Sequence, residues 1–260
     1  MTFVVAIAGI IFWPGTPDIA NKLFLSDEEI HLARKRLEEN GIEATTTTPK
    51  VSVKTLKSIF TDWKIYILTT WDVLFWMSDP QSYGGYLLWL KSLDRYSSAK
   101  VNQISASAPG LGILYVLFVN FSSDLWLGRP GSIVLAHAMN VVSMTILVIW
   151  NVPDSAKWFA FNIYFFDVGM SSVLYGWSND MLRHKRQERA ITLVIMNTVS
   201  TAMKAWYGLV FFKTVEAPRF TKGYSFCLAS SVCIIAFTFV VRHFDRKQEW
   251  ASLFRCHDEI

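Results

Sequence analysis

Four charged side chains lie inside long apolar stretches of this sequence, where an ionised group is costly. They are Asp72, Asp79, Asp167 and Lys204. An ionisable residue within a membrane-spanning segment is rare, and it usually faces a binding site, a proton path or a partner of opposite charge. These residue types favour two kinds of chemistry: binding of an anion by the lysine and carriage of protons by the carboxylates.

Two of the acids lie in one predicted helix. Asp72 and Asp79 are seven residues apart, so a continuous helix places them on one face together with Trp76. Pro80 and the Gly84-Gly85 pair follow directly, and they should kink the helix and free carbonyl groups near Asp79. A carboxylate beside a broken helix suits a proton or substrate site. The alternative is that Asp79 only caps the break.

The other two charges occupy the middle of later predicted helices. Asp167 is either a proton-coupling acid or the structural partner of Lys204. Lys204 shares its helix face with Asn197, and a cation in a medium of low dielectric attracts an anionic carboxylate strongly. It could equally neutralise Asp167 or Asp72 when no substrate is bound. The two roles are compatible, because a substrate anion could displace the internal partner.

His137 and Asn140 share a face of the predicted third span. Histidine titrates near neutral pH and could therefore carry a proton. The alternative is a hydrogen bond between helices with no part in transport.

A polar loop follows the second predicted span, with the sequence NFSSDLWLGRP over residues 120–130. Its carboxylate, turn glycine and arginine resemble the loop signature of the major facilitator superfamily, G-x-x-x-D-x-x-G-R-[KR]. In that superfamily the acid and the arginine form a charge-relay latch on the cytoplasmic side. The resemblance implies this role for Asp124, Gly128 and Arg129. Three departures leave an ordinary charged turn as the alternative: Asn120 and Pro130 replace motif residues, and the gap from Asp124 to Gly128 is one residue longer.

Further segments are similar to one fungal family. They are residues 177–190 (WSNDMLRHKRQERA), Met196-Asn197, Ala205-Trp206, Glu216-Ala217-Pro218, Pro17-Asp18, residues 25–29 (LSDEE) and residues 61–64 (TDWK). Together they resemble the allantoate and pantothenate permeases, the anion:cation symporter branch of the major facilitators.

The resemblance covers nearly the whole chain, and it implies both a fold and a function. The implied fold is an all-α membrane protein, a six-helix bundle that corresponds to the C-terminal half of a major facilitator, with a cytosolic N-terminal loop. The implied function is import of a small organic anion, such as a vitamin or nitrogen-source carboxylate, together with protons. The first five helices of such a permease are expected to be absent from this sequence.

The elements that must position these residues are six apolar stretches, each near the roughly 20 residues that a bilayer requires. Short connections between them predict a helical bundle, since helices satisfy their own backbone hydrogen bonds in lipid. The stretches are Lys64–Leu90, Ile104–Phe121, Ser132–Trp150, Trp158–Trp177, Ala190–Phe212 and Tyr224–Val241.

Four regions follow along the chain. Residues 1–13 are apolar but too short to cross a bilayer, so we expect the remnant of a preceding transmembrane helix. Residues 14–63 form a cytosolic loop with amphipathic helices, one of them opened by a capping box of Ser26 and Glu29. Residues 64–242 form the six-helix domain, and residues 243–260 form a cytosolic tail.

The basic residues predict the orientation. With residues 14–63 in the cytoplasm, the cytoplasmic segments hold 17 of the 25 Lys and Arg residues, and the opposite segments hold seven. Both ends are therefore expected in the cytosol of a multi-pass protein of the plasma membrane.

The composition excludes several classes. The chain is 52% hydrophobic and 18% charged with a net charge of +4, which predicts a lipid partner and no nucleic acid. No nucleophile–base pair, metal-ligand spacing or phosphate loop appears, so we expect neither an enzyme nor a cofactor. The expected partners are a small organic anion and a proton, and a separate N-terminal half or a second copy could complete the site. A membrane interaction protein or pseudogene product that does not transport is the alternative.

Overall fold

The computed structural model describes residues 2–13, 15–16, 19–20, 25–39, 53–183 and 186–258. Its helices are α1 (Thr2–Phe12), α2 (Asp27–Glu39), α3 (Val53–Thr61), α4 (Trp63–Met77), α5 (Gly85–Ser92), α6 (Ser98–Ser105), α7 (Ser107–Ser122), α8 (Gly128–Ile149), α9 (Asp154–Ile163), α10 (Met170–Met181), α11 (Arg186–Phe211) and α12 (Thr221–Asp258). Short 3₁₀ helices cover Gln81–Tyr83, Tyr164–Gly169 and Thr214–Glu216, and a π-helical turn covers Ser123–Leu127. The described chain is thus almost entirely helical, as the sequence predicted.

One feature of the N-terminal region departs from the all-α prediction. Gly15–Thr16 and Ile19–Ala20 form a two-residue antiparallel ladder after α1. The predicted capping box is confirmed, since Ser26 N donates to Glu29 Oε2 at 2.9 Å and Glu29 N donates back to Ser26 Oγ at 3.3 Å. These bonds favour the ionised carboxylate and hold the pKa of Glu29 below its ordinary value. Asn40-Gly41, a pair that favours the end of a helix, lies outside the described residues.

The predicted break near Asp79 is confirmed, and Asp79 lies within it. Helix α4 ends at Met77, and α5 begins only at Gly85, after the 3₁₀ turn Gln81–Tyr83. Pro80 cannot donate a helical hydrogen bond, and Gly84 has a φ of +66°, which a residue without Cβ adopts without strain. The chain therefore runs from residue 63 to residue 92 as one pass with an irregular centre.

The helical segments match the six predicted stretches in order: α4–α5, α6–α7, α8, α9–α10, α11 and α12. Within the described residues, two helical runs are long and apolar enough to cross a membrane, Ser98–Ile149 and Thr221–Lys247. Gly128 interrupts the first of them between α7 and α8. Membrane crossing by each of the six passes stays a prediction.

The surface agrees with an apolar environment. Large hydrophobic side chains are exposed along α7 and α11, among them Ile113 (66%), Trp206 (71%) and Leu209 (78%). A soluble monomer rarely leaves so many exposed together, so this surface suits contact with lipid or with another protein.

Two buried apolar clusters hold the helices together, and the break in the first pass lies between them. The first packs α4 against α10, α11 and α12 around Trp71, Phe75 and Leu174. The second packs α5 against α9 and α12 around Trp89, Phe161 and Tyr224. The polar residues of the break are thereby held between two rigid layers.

Candidate functional site

The centre of the site is an ion pair between Lys204 of α11 and Asp79 in the break of the first pass. Both side chains are only 13% exposed. The predicted partners of Lys204, Asp167 and Asp72, are therefore wrong in this structure. The physical reason is the register of the two helices: Asp72 lies opposite Ser200 of α11, and Asp79, seven residues further along the pass, lies opposite Lys204, one helical turn beyond Ser200.

Asp79 also caps the break, which is the alternative role that the sequence offered for it. Its Oδ1 accepts a hydrogen bond from Gln81 N at 2.9 Å, and its Oδ2 accepts one from Ser82 Oγ at 3.3 Å. These two donors do not involve Lys204. The carboxylate would keep them if another anion took the ammonium.

The indole ring of Trp76 lies beside the ammonium group of Lys204. Lys204 Nζ is 4.4 Å from the ring centroid of Trp76, within the range of a cation–π contact. Trp76 Nε1 donates to the hydroxyl of Tyr175 at 3.4 Å. On the other side, Tyr83 donates to the backbone oxygen of Lys204 at 3.1 Å. Both the ammonium and the backbone of Lys204 are therefore fixed.

Asp167 lies in the 3₁₀ turn Tyr164–Gly169 and is 1% exposed. Gln81 Nε2 donates to its Oδ1 at 2.6 Å, and Asn140 Nδ2 donates to its Oδ2 at 3.1 Å. Asn140 also reaches the carbonyl oxygen of Ser78 at 2.9 Å and Ser231 Oγ at 3.1 Å. Asn140 thus links the end of α4 with α12 and with the turn that carries Asp167.

Gln81 joins the two acids and was missed in the sequence. Its backbone N–H bonds Asp79 while its side chain bonds Asp167. A single glutamine has no diagnostic spacing. The available signal was a polar side chain placed directly after a predicted helix break.

Asp72 forms a second polar group within α4. Its Oδ2 accepts from Tyr175 OH at 3.1 Å and from Ser200 Oγ, whereas its Oδ1 has no hydrogen-bond partner. The side chain is fully buried. Among the described residues, no ion pair joins Asp72 to Lys204.

His137 does not reach the ion pair. It is fully buried, with Nε2 at 2.6 Å from Met170 Sδ and with Nδ1 lacking a partner. Its ring meets that of Phe75 edge-on at 6.4 Å. The predicted shared face therefore brings Asn140, and not His137, to the site.

Asn197 lines a groove of about 780 Å³ along α11. The groove is formed by Tyr175, Leu193, Val194, Asn197, Thr198, Thr201, Ala202 and Ala205. Asn197 Oδ1 accepts a hydrogen bond from Thr201 Oγ1 at 3.0 Å. Asn197 is exposed there and does not contact the ammonium of Lys204.

The loop motif forms a separate polar group. Asp124 is exposed in the π-helical turn, and Gly128 has φ +64° and ψ 170°, a region used almost only by glycine. Arg129 forms its ion pair with Asp180 at the end of α10, with side-chain exposures of 39% and 52%. Arg129 of the loop motif thus pairs with an acid from the segment of residues 177–190. An exposed pair of this kind stabilises little by itself.

Comparison with known proteins finds similarity to transporters. A vitamin H transporter of Saccharomyces cerevisiae is 37% identical over 248 residues, which are 94% of this chain and 42% of that protein. A pantothenate transporter of Schizosaccharomyces pombe is 27% identical over 231 residues, 86% of this chain and 43% of that protein. An MFS transporter of Pestalotiopsis fici is 27% identical over 239 residues, 90% of this chain and 44% of that protein.

No family model matches the chain, and no solved structure is significantly similar to it. The chain spans less than half the length of the relatives named above. Similarity to transporters, together with the two apolar helical runs, indicates a membrane protein.

Proposed function

We propose that this chain forms part of a major facilitator transporter that carries a small organic anion, a vitamin or nitrogen-source carboxylate, together with a proton. The proposal includes its place in the allantoate and pantothenate permease branch, six membrane crossings and both ends in the cytosol of the plasma membrane. Support comes from the names of the similar transporters and from the basic residues in the predicted cytoplasmic segments.

The observation that carries the proposal is the ion pair of Lys204 and Asp79, which is mostly withdrawn from solvent. A buried cation needs a compensating anion at all times. Asp79 can give up Lys204 at moderate cost, because Gln81 N and Ser82 Oγ still bond its oxygens. A carboxylate substrate can therefore replace Asp79 at the ammonium of Lys204, and the Asp79 carboxylate still keeps two hydrogen bonds.

Uptake of labelled vitamin H and pantothenate by permease-deficient yeast tests the proposal. Two proteins are compared: this chain, and a chimera in which it replaces the matched segment of the S. cerevisiae vitamin H transporter. The chain by itself tests whether a separate half or a second copy is required. We expect saturable uptake of at least one vitamin by the chimera.

The substitution Lys204→Ala should reduce that uptake to background when uptake is divided by the amount of protein at the surface, because loss of the pair also lowers stability. Lys222→Ala is the matched control, because Lys222 is 67% exposed and pairs with Glu216 outside the site. Near-normal uptake by Lys204→Ala would exclude anion binding at this residue.

A further inference from the structure

Asp72 is a buried carboxylate that the anion site does not use. Lys204 lies one helical turn beyond Ser200 on α11, but its ammonium pairs with Asp79. The groups that face Asp72 are Tyr175 from α10 and Ser200 from α11. From α12 the nearby polar group is Thr238, which accepts a hydrogen bond from the indole of Trp71.

The surroundings of Asp72 therefore include one titratable group, the phenol of Tyr175, and no ion pair to Asp72 among the described residues. An ionised carboxylate buried without a cation is far more costly than a neutral acid. One oxygen, Oδ1, also lacks any donor that could stabilise a negative charge.

The hydrogen count at Ser200 points the same way. Ser200 Oγ touches both Asp72 Oδ2 and the carbonyl oxygen of Met196. A hydroxyl has one hydrogen and a carbonyl only accepts, so Ser200 satisfies both oxygens only by sharing its hydrogen between them. A protonated Asp72 donates to Ser200 Oγ instead and leaves the serine hydrogen for the carbonyl oxygen of Met196.

Tyr175 lies between this acid and the groove. Its side chain lines the groove along α11, and its hydroxyl donates to Asp72. The same hydroxyl accepts from Trp76, whose ring holds the ammonium of Lys204. A movement of Tyr175 would therefore open Asp72 to the groove and disturb the contact between Trp76 and Lys204.

From these contacts we infer that Asp72 is a proton-binding site separate from the anion site, with Tyr175 as the positioning residue that controls its access to the groove. The inference rests on the proposed function, for which it identifies the acid that carries the coupled proton. A proton adds to one carboxylate oxygen to give the carboxylic acid, and it leaves to water in the groove when Tyr175 moves away. No other bond is made or broken.

Infrared spectroscopy of the purified chain tests the protonation without any transport. We expect a carboxylic-acid carbonyl band at neutral pH that is absent from Asp72→Asn. Asp154→Asn is the control, since that acid is 43% exposed and pairs with Arg95. If Asp72→Asn fails to fold, Tyr175→Phe keeps the ring and removes one hydrogen bond, which should shift the band. A spectrum unchanged by Tyr175→Phe, or a band retained in Asp72→Asn, would overturn the inference.

The coupling is tested in the chimera. In Asp72→Asn, exchange of labelled for unlabelled vitamin should persist, while accumulation driven by an inward proton gradient should fall at least about tenfold, as expected for loss of more than 1.4 kcal/mol of driving force. Accumulation that survives in Asp72→Asn contradicts the inference, and so does loss of exchange at a normal surface level. If the chimera transports neither vitamin, the proposed function fails, and the infrared result still decides the state of Asp72.

Discussion

Lys204 and Asp79 should stabilise the fold as a pair, and this prediction separates the observed partner from the one expected from the sequence. In Lys204→Met the stem remains but the charge is lost, which leaves Asp79 buried without its cation. Breaking a buried pair costs roughly 3–5 kcal/mol. The retained bonds from Gln81 N and Ser82 Oγ place this case near the lower end, at about 3 kcal/mol.

Asp79→Asn should partly rescue Lys204→Met. An asparagine oxygen still accepts from Gln81 N, and the double variant contains no unpaired charge. We expect a coupling energy of about 2 kcal/mol, within the range for residues in contact. The single change Lys204→Met should lower the midpoint of thermal unfolding by roughly 6–12 °C, from about 2–4 °C per kcal/mol for chains of similar size.

Thermal unfolding of the purified chain in detergent measures this cycle, by fluorescence-detected size exclusion after heating. Asp167→Asn in the Lys204→Met background is the matched control, because Asp167 bonds Gln81 and Asn140 and not the lysine. The reasoning is refuted if Asp167→Asn rescues Lys204→Met while Asp79→Asn shows a coupling below about 0.5 kcal/mol.

Two further predictions use the same unfolding assay. Asn140→Ala removes a donor from buried Asp167 and from the carbonyl oxygen of Ser78, so it should cost about 3 kcal/mol. Asn120→Ala loses a bond to Val116 within its own helix and should cost under about 1 kcal/mol. Equal effects would show that Asn140 does not link the helices. Gly128→Ala forces a side chain into a backbone conformation used almost only by glycine and should cost about 1–3 kcal/mol. Gly110→Ala on α7, where an added Cβ meets no atom within 4 Å, should be neutral or stabilising. A Gly128→Ala protein as stable as the parent would contradict the strain argument.

Local signals predicted local structure well. The capping box at Ser26, the break at Pro80 and Gly84, and the order of the helical segments all follow from backbone preferences that act within a few residues. The small ladder at Gly15–Ala20 was not expected, because two-residue strands have no periodicity to detect.

Long-range pairing could not be predicted in the same way. Helix phase placed Asp72, Trp76 and Asp79 on one face, and all three contact α11, but phase could not say which acid pairs with Lys204. The partner of Lys204 depends on how the freed segment turns, and this in turn depends on Gln81, which bonds Asp79 and Asp167 from a position with no motif.

The broken helix therefore explains why two aspartates seven residues apart differ in chemistry. Asp72 lies within the regular part of α4, where its neighbours are hydroxyl groups and apolar side chains and only one of its oxygens is bonded. Asp79 lies beyond the helix end, where a free backbone N–H, a serine hydroxyl and an ammonium converge on it. The first environment contains no cation to compensate a charge on the acid, whereas the second supplies one. On the proposed mechanism this division matters, because a proton held at Asp72 and a substrate carboxylate held at Lys204 compensate each other in charge. Loading one of each then leaves the net charge of the membrane interior unchanged, which lowers the electrostatic cost of moving the loaded site across the bilayer.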